Sequence, residues 1–172
     1  MKKLIIKFGL IGASLIVGVP LLSIAIVGLG PDSFAVGELI GYSTIVIAML
    51  LIIVAQLNYR KEQGGQLSFG DAFKIGLGIS TIGGLAFGLY NTVYVLFIDP
   101  EFNEKYFAYS MGLERGTPTF QQQYAEALSG NNFMFSIEGQ ALLMFLTVFL
   151  IGFVISIIGG LILQRKGVVK TV

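Results

Sequence analysis

Histidine and cysteine are both missing from this chain of 172 residues. Without cysteine there is no disulfide, no thiolate metal site and no cysteine nucleophile. Without histidine the commonest general base and the commonest transition-metal ligand are gone. Charge is scarce as well. Asp, Glu, Lys and Arg make up 12% of the sequence against 55% hydrophobic residues, and mean hydropathy is +0.83. A soluble domain of this length needs charge over much of its surface, so here lipid has to cover the remainder. Residues 1–172 are therefore expected to form a single membrane domain, with no room for a second.

Four long runs, 8–28, 39–57, 75–98 and 139–163, contain no Asp, Glu, Lys or Arg. As helices rising about 1.5 Å per residue, each can cross a hydrocarbon core roughly 30 Å thick. The expected fold is an all-α membrane protein: a four-transmembrane-helix bundle with a short amphipathic helical outer loop over 99–138. The few charges are sorted by side. Lys2, Lys3, Lys7, Arg60, Lys61, Lys74, Arg165, Lys166 and Lys170 lie at the two ends and in the loop between spans two and three, with only Glu62 and Asp71 for company. The opposite side carries Lys105 and Arg115 against Asp32, Glu38, Asp99, Glu101, Glu104, Glu114, Glu126 and Glu138. Cationic loops resist translocation, which places both termini in the cytoplasm and 99–138 outside. Met1-Lys2-Lys3 before an apolar run imitates a signal peptide, but the run is too long and lacks a clean cleavage site. It reads as a retained anchor.

Local signals fill in the organisation. Pro20 interrupts span one. Span two is the most uniformly aliphatic and is expected to be the most lipid-exposed. Gly64-Gly65 breaks the inner loop, and Ser68 with Asp71 forms a capping-box variant that starts a helix at Ser68. In the outer loop, Asp99-Pro100 reads as N-cap and first helical position. Phe102, Tyr106, Tyr109 and Leu113 then share one helical face. Gly116-Thr117-Pro118 ends that helix, and a second short one is expected to stop near Gly130-Asn131. The aromatic face suits either a lid over the bundle or a helix resting on the membrane surface.

Span three carries the most specific packing signal. Gly76, Ser80, Gly84 and Gly88 recur every four residues. Span four answers with Gly152, Ser156, Gly159 and Gly160, and span one with Gly9, Gly12 and Ala13. Small residues let helix backbones approach closely in lipid. The outer half is bulkier, with Tyr90, Asn91, Tyr94, Phe97, Met144 and Phe145, so the bundle either opens there or is filled by aromatics. Asn91 is the strongly polar side chain inside span three and needs a hydrogen-bond partner.

No charge lies inside a span, which argues against ion-coupled transport and voltage sensing. Asp99, Glu101, Glu104 and Glu138 are the only candidates for acid–base work, and such spacing at helix starts also follows from the helix dipole. No phosphate loop, dinucleotide fingerprint or nucleic-acid pattern is present. No catalytic, metal or cofactor-binding residue is assigned. The leading expectation is a non-enzymatic interaction or accessory subunit that packs through Gly76, Ser80, Gly84, Gly88, Gly152, Ser156 and Gly160. Its partners are membrane lipids and either another membrane protein or a second copy of the chain, with no nucleic acid. The alternative is a carrier or binding protein for a lipid-like or other apolar molecule in the outer half, using Asn91, Tyr94, Phe102, Tyr106 and Tyr109.

The stretch Gly64-Gly65-Gln66-Leu67-Ser68-Phe69-Gly70-Asp71-Ala72-Phe73-Lys74-Ile75-Gly76 and the stretch Tyr94-Val95-Leu96-Phe97-Ile98-Asp99-Pro100-Glu101-Phe102 carry a resemblance. Together with the four-span pattern, they resemble a bacterial family of small membrane proteins, domain of unknown function 4199. The resemblance covers nearly the whole chain. It implies residence in a bacterial inner membrane and implies no activity.

Overall fold

The computed structural model describes residues 1–129 and 133–165. Lys166 and Lys170 of the basic set, and the expected helix stop at Gly130-Asn131, lie outside the described residues. The chain is all-α with four helices long and apolar enough to cross a membrane: Lys2–Val27, Phe34–Glu62, Phe69–Ile98 and Ile137–Leu163. It is a multi-pass membrane protein. Span one is helix α1 (Lys2–Val27). A short turn, Pro31–Ser33, leads into span two, made of α2 (Phe34–Met49) and α3 (Leu51–Glu62). Span three is α4 (Phe69–Val93), extended by a wider π-helical turn, Tyr94–Ile98. The long loop holds α5 (Phe102–Met111) and α6 (Pro118–Ser129), and span four is α7 (Ile137–Leu163). These helices outrun the uncharged stretches, taking in Lys2, Lys3, Lys7, Arg60 and Lys61, whose long stems let the charge reach the headgroups.

The starts of two spans are fixed by serine caps. Ser68 Oγ accepts the Asp71 N–H at 3.0 Å, the serine half of the capping box, while the Asp71 carboxylate takes the Ser68 hydroxyl at 2.7 Å. Ser136 caps α7 in the same way through the Gly139 N–H at 3.0 Å. On the face where span one begins and span four ends, called the terminal face, Gly64 and Gly65 take positive φ of 65° and 89° to turn the chain. Leu67 then pairs with Arg165 through two backbone bonds of 3.1 and 2.9 Å. The linker before span three is thereby tied to the end of span four.

Around the bundle, α4 packs between α1 and α7, while α2 meets α1 and α7. The α3 half also reaches α4. The core is Ile16, Ile45, Ala48, Met49, Ile52, Ile75, Ile79 and Val148, all buried, at mid-depth and toward the terminal face. Two expectations are corrected. Span two is the most enclosed of the four, with 33% of its apolar window buried against 11–22% for the others. Thr44, Ile45, Ala48, Met49, Ile52, Ala55 and Gln56 step by three and four residues into one inward stripe; uniform aliphatic composition hides that stripe in the sequence. Helix α5 begins at Phe102 with Glu101 at its N-cap, so Asp99 does not cap it. Asp99 instead ends span three, 4% exposed, with Lys105 Nζ at 2.7 Å from its Oδ1. A nearby lysine neutralises the buried carboxylate more fully than a helix N-terminus does.

Candidate functional site

The seam between α4 and α7 is closed along its length, and the small residues close it. A Cβ on Gly76 would run into the Ser156 side chain, and one on Gly152 into Ser80. At Gly84 it would lie 2.8 Å from the Phe145 ring and 2.9 Å from the Phe145 carbonyl, at Gly88 2.7 Å from the Ala141 carbonyl, and at Gly160 3.0 Å from the Phe69 ring. Ser80 and Ser156 are fully buried. The small patch of α1 faces other residues: Gly9 meets Ile82, and Gly12 meets Ala48 and Met49. Gln56, fully buried on α3, donates to the Ala72 carbonyl at 3.0 Å and the Ser156 carbonyl at 3.4 Å. It joins three spans in the terminal half.

Beside this seam, in the interior shared by all four spans, the half nearest the long loop is hollow. A cavity of about 510 Å³ is walled by α1, α2, α4 and α7 and roofed by α5 and the Phe133–Phe135 turn. Its origin is local. Gly37 and Gly41, one turn apart on α2, line it, and a Cβ on either would touch nothing within 4 Å. The span-three backbone widens at the same level, the Asp99 N–H bonding the Tyr94 carbonyl five residues back at 2.9 Å.

The roof is docked by rings on two spans. Phe34, buried at the start of α2, lies 5.9, 5.7 and 5.2 Å from the rings of Phe102, Tyr106 and Tyr109. Tyr94 of span three meets Phe102 edge-on at 5.2 Å. The Tyr106 hydroxyl donates to Glu38 Oε1 at 2.8 Å. That bond, then burial, then the nearby Glu38 charge push the Tyr106 phenol up to about 12. Behind this helix, Phe107 packs on Phe120, Tyr124 and Phe135. Arg115 holds Glu101 and Glu104, each at 3.2 Å, and these contacts raise its pKa further.

Most polar groups in the cavity wall are satisfied by the protein. Ser23 donates to the Pro20 carbonyl, Thr147 to the Leu143 carbonyl and Gln140 to the Phe135 carbonyl. Asn91 and Asn103 line the cavity, and their side-chain amides make no hydrogen bond among the described residues. Asn91 therefore presents its amide to the cavity, and no neighbouring helix supplies the partner that its place in a span calls for. Glu38 is the only carboxylate in the wall, and no lysine or arginine lines it among the described residues.

Asn91, Tyr94, Phe102 and Tyr106 all line the cavity, whereas Tyr109 packs on Phe34 outside it. Phe97 points outward, 77% exposed, and Phe145 belongs to the α4–α7 seam. Sequence reasoning missed Phe34, Tyr42, Gly37, Gly41 and Asn103, and counted Glu38 only as a charge. The available signal was Gly37-x-x-x-Gly41, a small-residue face in span two with no answering face at its depth.

The model of a family of proteins of unknown function, DUF4199, matches residues 7–165. Neither a curated protein nor a solved structure matches the chain.

Proposed function

Since the chain belongs to this family of unknown function, its role has to be read from its own residues, and we propose that it binds an apolar or amphiphilic, lipid-like molecule in the loop half of the bundle. The carrying observation is the cavity itself. Its 510 Å³ falls inside the range of about 300–1,000 Å³ typical of small-molecule sites, which combine apolar walls with a few convergent polar groups. Here those groups are Glu38, Asn91 and Asn103. Helix α5, held by Phe34, Tyr94 and Glu38, serves as the lid. The charge asymmetry supports an outer position for the loop, and hence for the cavity, and the family resemblance supports a bacterial inner membrane as its place.

The rival reading, an accessory subunit, drew on the Gly and Ser faces. Those faces meet one another inside this chain, so a protein partner would have to dock on the aliphatic outer faces. Mass spectrometry of molecules retained in mild detergent tests the two. Wild type should carry a stoichiometric small amphiphile that Gly41→Leu, with its side chain in the cavity, loses. Equal retention by both proteins, or a stoichiometric protein partner in place of any amphiphile, contradicts the binding reading.

A further inference from the structure

We propose that the molecule this cavity selects is a lipophilic cation: an amine or quaternary ammonium on an apolar body. The inference rests on the cavity reading and adds the sign of the ligand's charge.

A line of rings runs up the wall. Phe87, Tyr90, Tyr94, Phe102 and Tyr106 follow one another at centroid distances of 6.0, 5.9, 5.2 and 5.5 Å, and all five line the cavity. The line ends at Glu38, which takes the Tyr106 hydroxyl on Oε1. Aromatic faces carry negative potential and attract cations, most strongly where water is excluded. A carboxylate at the end of such a wall makes the cavity favourable for positive charge along its length. An anionic guest meets repulsion from both.

Among the described residues, no lysine or arginine pairs with Glu38. Lys105 and Arg115 are the only basic residues between spans three and four. Lys105 is held by Asp99 and Glu101, and Arg115 by Glu101 and Glu104. Glu38 is half-buried at the cavity edge, and among the described residues the Tyr106 hydroxyl is its one hydrogen-bond partner, so its charge has no cationic partner there. A cationic guest provides that partner, with Asn91 and Asn103 as carbonyl acceptors for any N–H it carries.

The test uses two ions of equal shape and opposite sign, tetraphenylphosphonium and tetraphenylborate. Binding to the full chain in phosphatidylcholine nanodiscs is measured by equilibrium dialysis, with protein-free discs subtracted. Wild type should bind the phosphonium saturably, one per chain, and the borate at least tenfold more weakly. Glu38→Gln, which keeps an acceptor for Tyr106, should weaken phosphonium binding at least tenfold and leave the thermal midpoint in place. Equal binding of the two ions, unchanged phosphonium binding in Glu38→Gln, or no saturable binding of either ion overturns the cation inference. Gly41→Leu separates the layers. If it abolishes binding of both ions while Glu38→Gln changes nothing, the cavity reading stands and only the charge preference falls. If Gly41→Leu binds both ions like wild type, the cavity reading falls with it.

Discussion

Tyr106 shows how one side chain sets the state of the lid. Its hydroxyl bonds the lid helix to span two through Glu38, and its phenol is raised from 10.0 to about 12 by that bond first and by burial second. The neutral phenol is thus favoured in the docked state. Its contribution to docking is complete below about pH 10 and disappears as pH rises through about 12. Phenolate absorbance during alkaline titration checks this: Tyr106→Phe should remove a group that titrates near 12, and Glu38→Gln should lower that group's midpoint. Loss of a phenol titrating near 10 would mean that the bond is not formed. Gln56 is a second case. It lies fully buried with its amide on two carbonyls from different helices. Gln56→Ala removes both bonds and leaves a hole, and should cost about 1–3 kcal/mol by thermal unfolding in detergent. Gln140→Ala, at the roof, should cost much less.

At the scale of elements, glycines on α4 and α2 do opposite work. Gly84 is pressed against the Phe145 backbone and ring, whereas Gly41 faces open space. Leucine at 84 should destabilise by roughly 1–3 kcal/mol through overpacking. Leucine at 41 should leave the unfolding midpoint unchanged, and equal midpoints for the two variants would refute the seam. The seam was legible because a small residue every fourth position leaves a periodic trace in the sequence. So were the four spans, the Ser68 cap and the shared face of Phe102 and Tyr106, which all rest on local chemistry and spacing. The inward stripe of span two was not legible, since every position there is aliphatic and only neighbours decide which face is covered. Nor was the docking of α5. Phe34, on the same helix as Glu38, meets rings that follow it only from Phe102 onward, and Glu38 lies 68 residues from Tyr106; helical period says nothing about contacts at that separation. Asp99 was misplaced for a related reason: the Asp-Pro signal for a helix start lost to a long-range lysine.

The whole molecule joins a solid terminal half to a hollow loop half. The sorting of charges predicts cytoplasmic termini, and thiol labelling can check that orientation in a chain without cysteine. On intact spheroplasts, an impermeant reagent should label Gln122→Cys and not Gln63→Cys; the reverse pattern would invert the bundle. The central claim, that the hollow half takes an apolar guest, is tested most directly by photolabelling. A long-chain alkyl trimethylammonium probe with a diazirine near the end of its chain is equilibrated with the membrane-embedded protein, irradiated, and its adducts located by peptide mapping. The account predicts saturable adducts on cavity residues from separate spans, such as Ile24, Tyr90, Asn91 and Met144, which Gly41→Leu abolishes. Adducts confined to the outward side chains Leu22, Leu89 and Ile162, and unchanged in Gly41→Leu, would contradict it.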